Sequence, residues 1–211
     1  MEAAMADLLD QVAGYYSAKL AEYGETAQGV DWNGEASQYL RFEQLARIIG
    51  RSDGFTVNDL GCGYGAFFDF LRGLYDRFSY LGYDISARMV DAARLRHHEE
   101  GSARFTVAAE PTEIADYGIA SGIFNVRLST PEAQWRAYVE ETLDSLDRTS
   151  RRGFAFNCLT TYSDPEKLRD YLHYADPAVL FDRCKRRYST QVALLHDYGL
   201  YEFTILVRKE P

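Results

Sequence analysis

The chain has 211 residues, 46% of them hydrophobic and 26% charged, with 23 Lys and Arg against 32 Asp and Glu for a formal net charge of −9. That length predicts one domain, or one with a small appendage, and the composition excludes intrinsic disorder. The acidic balance argues against a dedicated nucleic-acid binder, which needs a basic face to displace phosphate counterions.

Residues 6–20 read as a helix, with Leu8, Val12, Tyr15 and Lys19 at helical spacing. A loop over 24–34 holds Val30-Asp31-Trp32-Asn33, and a second helix then carries Phe42, Leu45 and Ile49 on one face. From residue 55 strands and helices alternate. A strand over 55–60 runs into the turn Gly61-Cys62-Gly63-Tyr64-Gly65, followed by a helix with Phe67, Leu71, Leu74 and Phe78 on one face. A second strand (79–83), a second helix (86–100) and a third strand (104–108) come next. The link to a fourth strand over 117–124 is so short that any third crossover helix must be stunted. Thr130-Pro131 opens a helix running to about residue 147, with a hydroxyl at the cap and proline at the first position. A fifth strand covers 153–159, and Asp164-Pro165 and Asp176-Pro177 repeat the cap-then-proline signal for two short helices. Strands over 190–196 and 201–208 are separated only by Asp197-Tyr198-Gly199-Leu200. So short a connection cannot be a parallel crossover, so these two strands form an antiparallel hairpin.

This order predicts a doubly wound α/β domain with a seven-stranded, mainly parallel sheet, an antiparallel terminal hairpin and a helical N-terminal extension. Residues 1–50 are expected to form the extension and 51–211 a single compact unit. No run approaches the ~18 apolar residues of a membrane span, and Met1-Glu2-Ala3-Ala4 lacks the start of a signal peptide. Cys62, Cys158 and Cys184 are odd in number and show no CxxC spacing, which argues against disulfides and a zinc site. A soluble, cytoplasmic protein is expected. Its 16 tyrosines suit a pocket lining that offers apolar area and a polar handle, or simply an aromatic-rich core.

In open α/β sheets ligands lie beyond the carboxyl ends of the strands. The first such end is Asn58-Asp59-Leu60-Gly61-Cys62-Gly63-Tyr64-Gly65, whose alternate glycines allow a sharp turn and close backbone approach to a ligand. Asp59, just before them, would face a cationic group. The second is Gly82-Tyr83-Asp84-Ile85-Ser86, with Asp84 placed to accept both hydroxyls of an adenosine ribose or, with Ser86, to cap the next helix.

Val57-Asn58-Asp59-Leu60-Gly61-Cys62-Gly63-Tyr64-Gly65 resembles motif I of the class I S-adenosylmethionine-dependent methyltransferases. Tyr83-Asp84-Ile85-Ser86-Ala87-Arg88-Met89-Val90-Asp91-Ala92-Ala93-Arg94 resembles the segment that follows it in that family. The resemblance spans about residues 55–208, terminal hairpin included, and implies the Rossmann-like methyltransferase fold. It implies that Gly61 and Gly63 underlie the methionyl part of S-adenosylmethionine, Asp59 sits near its ammonium and Asp84 binds the ribose. By the same analogy Ile85 and Met89 flank adenine, Glu110 stands where an Asp usually reaches the adenine amino group, and Asn125 lines the cofactor. Gly61-x-Gly63-x-x-Ala66 also satisfies a dinucleotide fingerprint. Against an NAD(P)-dependent oxidoreductase stand the late start of the motif and the short chain left after the fourth strand. A non-catalytic cofactor-binding protein on the same fold is a third reading, disfavoured by the intact glycine turn and Asp84.

In the resembling family, N-terminal helices often fold over the cofactor as a lid, so Arg41 is expected on the cofactor carboxylate and Trp32 closing against it. The alternative is an exposed arginine on an amphipathic helix and a core tryptophan. The acceptor is expected among Arg127, Tyr162, Tyr174 and Lys185, with Tyr16 from the extension, and Tyr23 or His196 would serve as base if one is needed. Arg183-Cys184-Lys185-Arg186-Arg187 reads either as an attractor of anions or as a solvated helix face. Cys62 is read as an apolar turn residue, and no HxxxH or HExxH pattern calls for a metal. The expected activity is O-methylation of a small, acidic metabolite to give S-adenosylhomocysteine, with no nucleic-acid or membrane partner and the oligomeric state left open.

Overall fold

Phe55–Leu60 (β1) is buried along almost its whole length, as a strand covered on both faces must be. The structure, a computed structural model, describes residues 2–50 and 54–209. Phe78–Asp84 (β2) and Ala103–Val107 (β3) pair in parallel on one side of β1. Ala115–Ala120 (β4) and Ser150–Leu159 (β5) pair in parallel on the other. Gln191–Leu195 (β6) and Glu202–Arg208 (β7) are antiparallel, and β7 slots between β5 and β6 to give the order 3-2-1-4-5-7-6. The fold is therefore the Rossmann-like sheet with an inserted antiparallel strand that the sequence predicts.

The helices are Glu2–Tyr23 (α1), Glu35–Ala46 (α2), Ala66–Arg72 (α3), Ala87–Arg96 (α4), Glu132–Arg148 (α5) and Pro177–Arg187 (α6). Phe42 and Leu45 of α2, Phe67, Phe68 and Leu71 of α3 and Val90 and Ala93 of α4 cover one sheet face with Val57, Tyr80 and Leu206. Trp135, Val139 and Leu143 of α5 and Leu180 and Cys184 of α6 cover the other with Phe154, Phe156 and Phe203. Leu8 and Val12 of α1 join this second core. Each face thus removes several large side chains from water, the main driving force for the fold. The expected division between residues 50 and 51 falls at 51–53, outside the described residues.

Several boundaries differ from the sequence reading, each for a local reason. Gly73 ends α3, so Phe78 belongs to β2 and stacks on Phe55 with ring centroids 5.5 Å apart. β4 stops at Ala120 because Gly122 turns the chain with φ +76°. Residues 108–114 form no helix. Pro131 takes the cap position of α5 and no side chain caps that helix, so the expected Thr130 cap is absent. Asp164 precedes only a short 3-10 turn, whereas Asp176 caps α6 by accepting from the backbone N–H groups of Ala178 (2.8 Å) and Val179 (3.3 Å).

Candidate functional site

The carboxyl ends of β1, β2 and β4 converge on a cavity. The N–H groups of Gly61 and Cys62 donate to Tyr83 O at 2.7 and 3.0 Å, stitching the glycine turn to the end of β2. Asp84 tightens the same seam: its Oδ2 accepts from Gly63 N at 2.9 Å and its Oδ1 from Ser86 N at 2.8 Å. Gly63 has φ +55°, and a Cβ there would come 3.1 Å from Val30 Cγ1. Ser86 Oγ caps α4 by accepting from Met89 N, so the capping role falls to Ser86 and Asp84 remains beside the cavity.

Asp59 is buried and also lines the cavity. Tyr80 donates its hydroxyl to Asp59 Oδ2, while Asp59 Oδ1 has no hydrogen-bond partner. Burial pushes the Asp59 carboxyl up to about 7, aided by the charge of Asp84 and opposed by the Tyr80 hydrogen bond. Burial likewise pushes Asp84 up to about 6, against three backbone hydrogen bonds that favour its charged form. Ser121 Oγ, in the same lining, is a second buried polar atom without a partner. Ile85, Met89, Ala108 and Ala109 give the cavity an apolar side. Val12, Tyr16, Gln38 and Phe42 of α1 and α2 cover it, with Val30 and Trp32 from the connection between them. An orphaned carboxylate oxygen suits an ammonium, an acid at a strand end suits ribose hydroxyls, and an apolar slot suits a purine. The cavity therefore fits S-adenosylmethionine, part by part.

A second cavity adjoins the first across Tyr16, Val30 and Trp32, which line both. Its other walls include Asn125, Lys167, Arg169, Tyr171, Tyr174, Tyr201 and Glu202. Its two acids are already neutralised. Asp31 accepts from the Tyr15 hydroxyl (2.7 Å) and pairs with Lys19 (2.8 Å), and Glu202 pairs with Arg41. Lys167 and Arg169 have no carboxylate partner among the described residues, so the uncompensated charge of this cavity is positive in a chain of net −9.

Asp59, Gly61, Gly63, Asp84, Ile85, Met89 and Trp32 all line the first cavity. Three others lie elsewhere. Glu110 faces α5, accepting from Ser145 Oγ at 3.0 Å beside Arg148. Asn125 lines the second cavity, its Oδ1 accepting from Leu159 N, because β4 ends five residues before it. Arg41 is not free for a cofactor carboxylate: its Nε and Nη2 donate to Glu202 Oε2 and Oε1 at 2.8 and 2.6 Å.

Of the expected acceptor residues, Tyr16 and Tyr174 line the second cavity. Arg127 is spent on the carbonyls of Thr130, Asp170 and Leu172, holding the loop that walls that cavity. Tyr162 is exposed with its ring against His196, which is also exposed, and neither lines either of these two cavities. Lys185, on α6, donates to Thr190 O just beyond the helix. Arg183 and Arg187 pair with Asp144 of α5, and Arg186 pairs with Asp182, which makes that cluster a helix face held by acids. Tyr23 ends α1 at the surface under the Lys19 ammonium and lines neither cavity. Cys62 is buried, and burial pushes its thiol well above the ordinary value.

The sequence reading missed Gln38, Phe42, Ser121, Gly122 and Tyr138. Ser121-Gly122 carried a usable signal, since a glycine shortly after an apolar strand marks its end. Tyr138 carried none, as it reaches the cavity from α5, far along the chain. Among the described residues no group of three or more His, Cys, Asp or Glu is placed to hold a metal ion. None of the described helices is long and apolar enough to cross a membrane.

Comparison with known proteins bears on the family and the fold. A family model described as a methyltransferase domain matches residues 57–153. The Mycobacterium tuberculosis protein named "Putative methyltransferase Rv1506c" is 59% identical over 163 residues, covering 77% of this chain and 98% of that protein. Among solved structures, the DhpI-SAM-HEP complex superposes with a TM-score of 0.66 at 18% identity, covering 96% of this chain and 98% of that one. Magnesium protoporphyrin IX methyltransferase (ChlM) from Synechocystis PCC 6803 with bound SAH gives a TM-score of 0.62 at 16% identity, covering 82% and 84%. At such identities these two report a shared fold.

Proposed function

The chain belongs to the class I S-adenosylmethionine-dependent methyltransferases, and from that membership we propose that it methylates an oxygen of a small, acidic molecule held in the second cavity. The observation that carries this reading is the shared wall: Tyr16, Val30 and Trp32 line both cavities, so a donor in one and an acceptor in the other meet there. When bound, S-adenosylmethionine supplies a methyl carbon already activated by its sulfonium. Asp84 accepts from the ribose hydroxyls, Asp59 Oδ1 takes the ammonium, and Ile85, Met89, Ala108 and Ala109 flank the adenine.

The protein's remaining task is orientation, which can be worth about 7–11 kcal/mol when reacting atoms are held in line. Tyr16 stands at the junction with a hydroxyl that has no protein partner among the described residues. Burial raises its pKa above that of an ordinary phenol, so it stays protonated and donates a hydrogen bond to the acceptor rather than taking a proton. Lys167 and Arg169 draw an anionic group into the second cavity. An acceptor oxygen that is already ionised needs no general base, which suits a site to which neither Tyr23 nor His196 is brought. A cytoplasmic location suits three buried free thiols.

The test is calorimetric titration with S-adenosylmethionine, S-adenosylhomocysteine and NAD(P)H in parallel, then mass spectrometry of mixtures with carboxylic, phosphonic and neutral hydroxylated acceptors. Binding of the two sulfur ligands alone and methyl ester formation on the acids is the expected result. Binding of NAD(P)H instead, or methylation restricted to neutral alcohols, would sink the proposal.

A further inference from the structure

Trp32 is held in a closed ring of contacts. The Arg41 guanidinium carbon lies 4.0 Å from the centroid of the Trp32 ring. Arg41 is fixed by its two hydrogen bonds to Glu202 and by a third from Nη1 to Ser37 O at 2.7 Å. Glu202 Oε2 also accepts from Asn157 Nδ2 at 2.7 Å, and Asn157 Oδ1 accepts from Gly122 N at 2.7 Å. Gly122 closes the ring: a Cβ there would lie 2.5 Å from Trp32 Cζ2 and Cη2. The indole thus occupies the space that a side chain at this turn would fill.

Removing an ion pair from water is expensive, and apolar substitutes often give a more stable protein. Here Arg41 is 6% and Glu202 1% exposed, and Asn157 is fully buried. Stability alone is a poor reason to keep such a set, whereas the fixing of one geometry is a good one. Trp32 is also unlike the protein's other tryptophan. Trp135 is sealed in the core with its N–H on Phe124 O, while Trp32 is partly exposed, lines two cavities and has no partner for its indole N–H among the described residues.

We infer that Trp32 is a positioning residue, a partition between cofactor and acceptor that Arg41, Glu202 and Asn157 mount against Gly122. This rests on the two-cavity reading above. The mount draws on the connection after α1, on α2, and on the sheet ends at β4, β5 and β7, so these elements are referred to the same indole edge. An acceptor reaches the methyl group only past Trp32, Tyr16 and Val30, which makes the indole the element that sets how deep an acceptor sits.

The test titrates S-adenosylhomocysteine into the wild type, Trp32→Phe, Glu202→Gln and Gly122→Ala, reading calorimetric heat and tryptophan emission together. In the wild type the ligand should shift the emission, and the shift should vanish in Trp32→Phe while binding persists, weakened by about tenfold at most. Glu202→Gln removes the counter-charge of a buried arginine. Should it fail to fold, Gly122→Ala displaces the indole with Arg41 and Glu202 intact and should alter the emission of the free protein. With ligand saturating, acrylamide should still quench Trp32 by way of the second cavity. A ligand-induced shift that survives in Trp32→Phe, heat without any shift in the wild type, or loss of acrylamide quenching at saturation would each overturn the partition and leave the methyltransferase reading standing. No heat in the wild type would overturn both.

Discussion

Asp84 and Gly63 meet at 2.9 Å, carboxylate oxygen to backbone N–H, so the acid at the end of β2 also holds the glycine turn at the end of β1. The contact joins the parts of the cavity proposed to grip the ribose and the methionyl group. Asp84→Ala should cost cofactor affinity on the order of a hundredfold and stability on the order of 1–3 kcal/mol, because it removes a charged acceptor and leaves the buried N–H groups of Gly63 and Ser86 unpaired. Calorimetry and a thermal melt measure the two. An affinity loss under threefold would confine Asp84 to holding the turn.

Burial lifts Asp59 from its ordinary 3.8 to about 7 and Asp84 to about 6. Through that window the folded chain holds protons that the unfolded chain has released. By linkage the stability that these two carboxyls lend the ligand-free protein therefore falls as pH rises from about 4 to about 7, and is level above that. A ligand ammonium beside Asp59 favours the ionised form, so ligand affinity should rise with pH up to about 7, and binding near pH 6 should release protons. Titrations in buffers of different ionisation enthalpy count those protons. Asp59→Asn should flatten the dependence, and an unchanged slope in that variant would assign it to another group.

Lys167 and Arg169 contribute the uncompensated positive charge of the second cavity. Replacing both with Gln should raise the KM for an acidic acceptor about tenfold, equivalent to about 1.4 kcal/mol, with little change in S-adenosylhomocysteine affinity. Added salt should have a similar effect on the wild type and a smaller one on the double variant. Equal salt dependence in the two proteins would place the anion elsewhere.

Arg127 looked like an acceptor ligand in the sequence and is a clamp in the structure, donating to three backbone carbonyls. Arg127→Ala should speed hydrogen exchange across residues 170–173 and lower stability by about 1–3 kcal/mol. Exchange rates unchanged in that loop would return Arg127 to the list of direct acceptor contacts.

The legible parts of this protein were those in which neighbouring residues cause the structure. The glycine turn, Asp59 and Asp84 each sit at a strand end visible from local pattern, and the short link before β7 forbade a parallel crossover. The unread parts were those fixed by partners distant in sequence. Nothing near Arg41 reveals that Glu202 will take its charge, and nothing near Arg127 reveals three waiting carbonyls. One local cue was passed over: Gly122 breaks β4 early, and this shifts Asn125 from the first cavity to the second.

The pair that mounts Trp32 spans 161 positions of the chain. A ribosome adding about 5–20 residues per second makes Arg41 wait on the order of ten seconds for its counter-charge. β6 waits as well, since its one ladder is to β7, which is made after it. A nascent chain halted between β5 and β7 would carry the glycine turn, a wall without its mount and an arginine without the acid it pairs with. Such a fragment has reason to stay open, so completing the mount of Trp32 waits on β7.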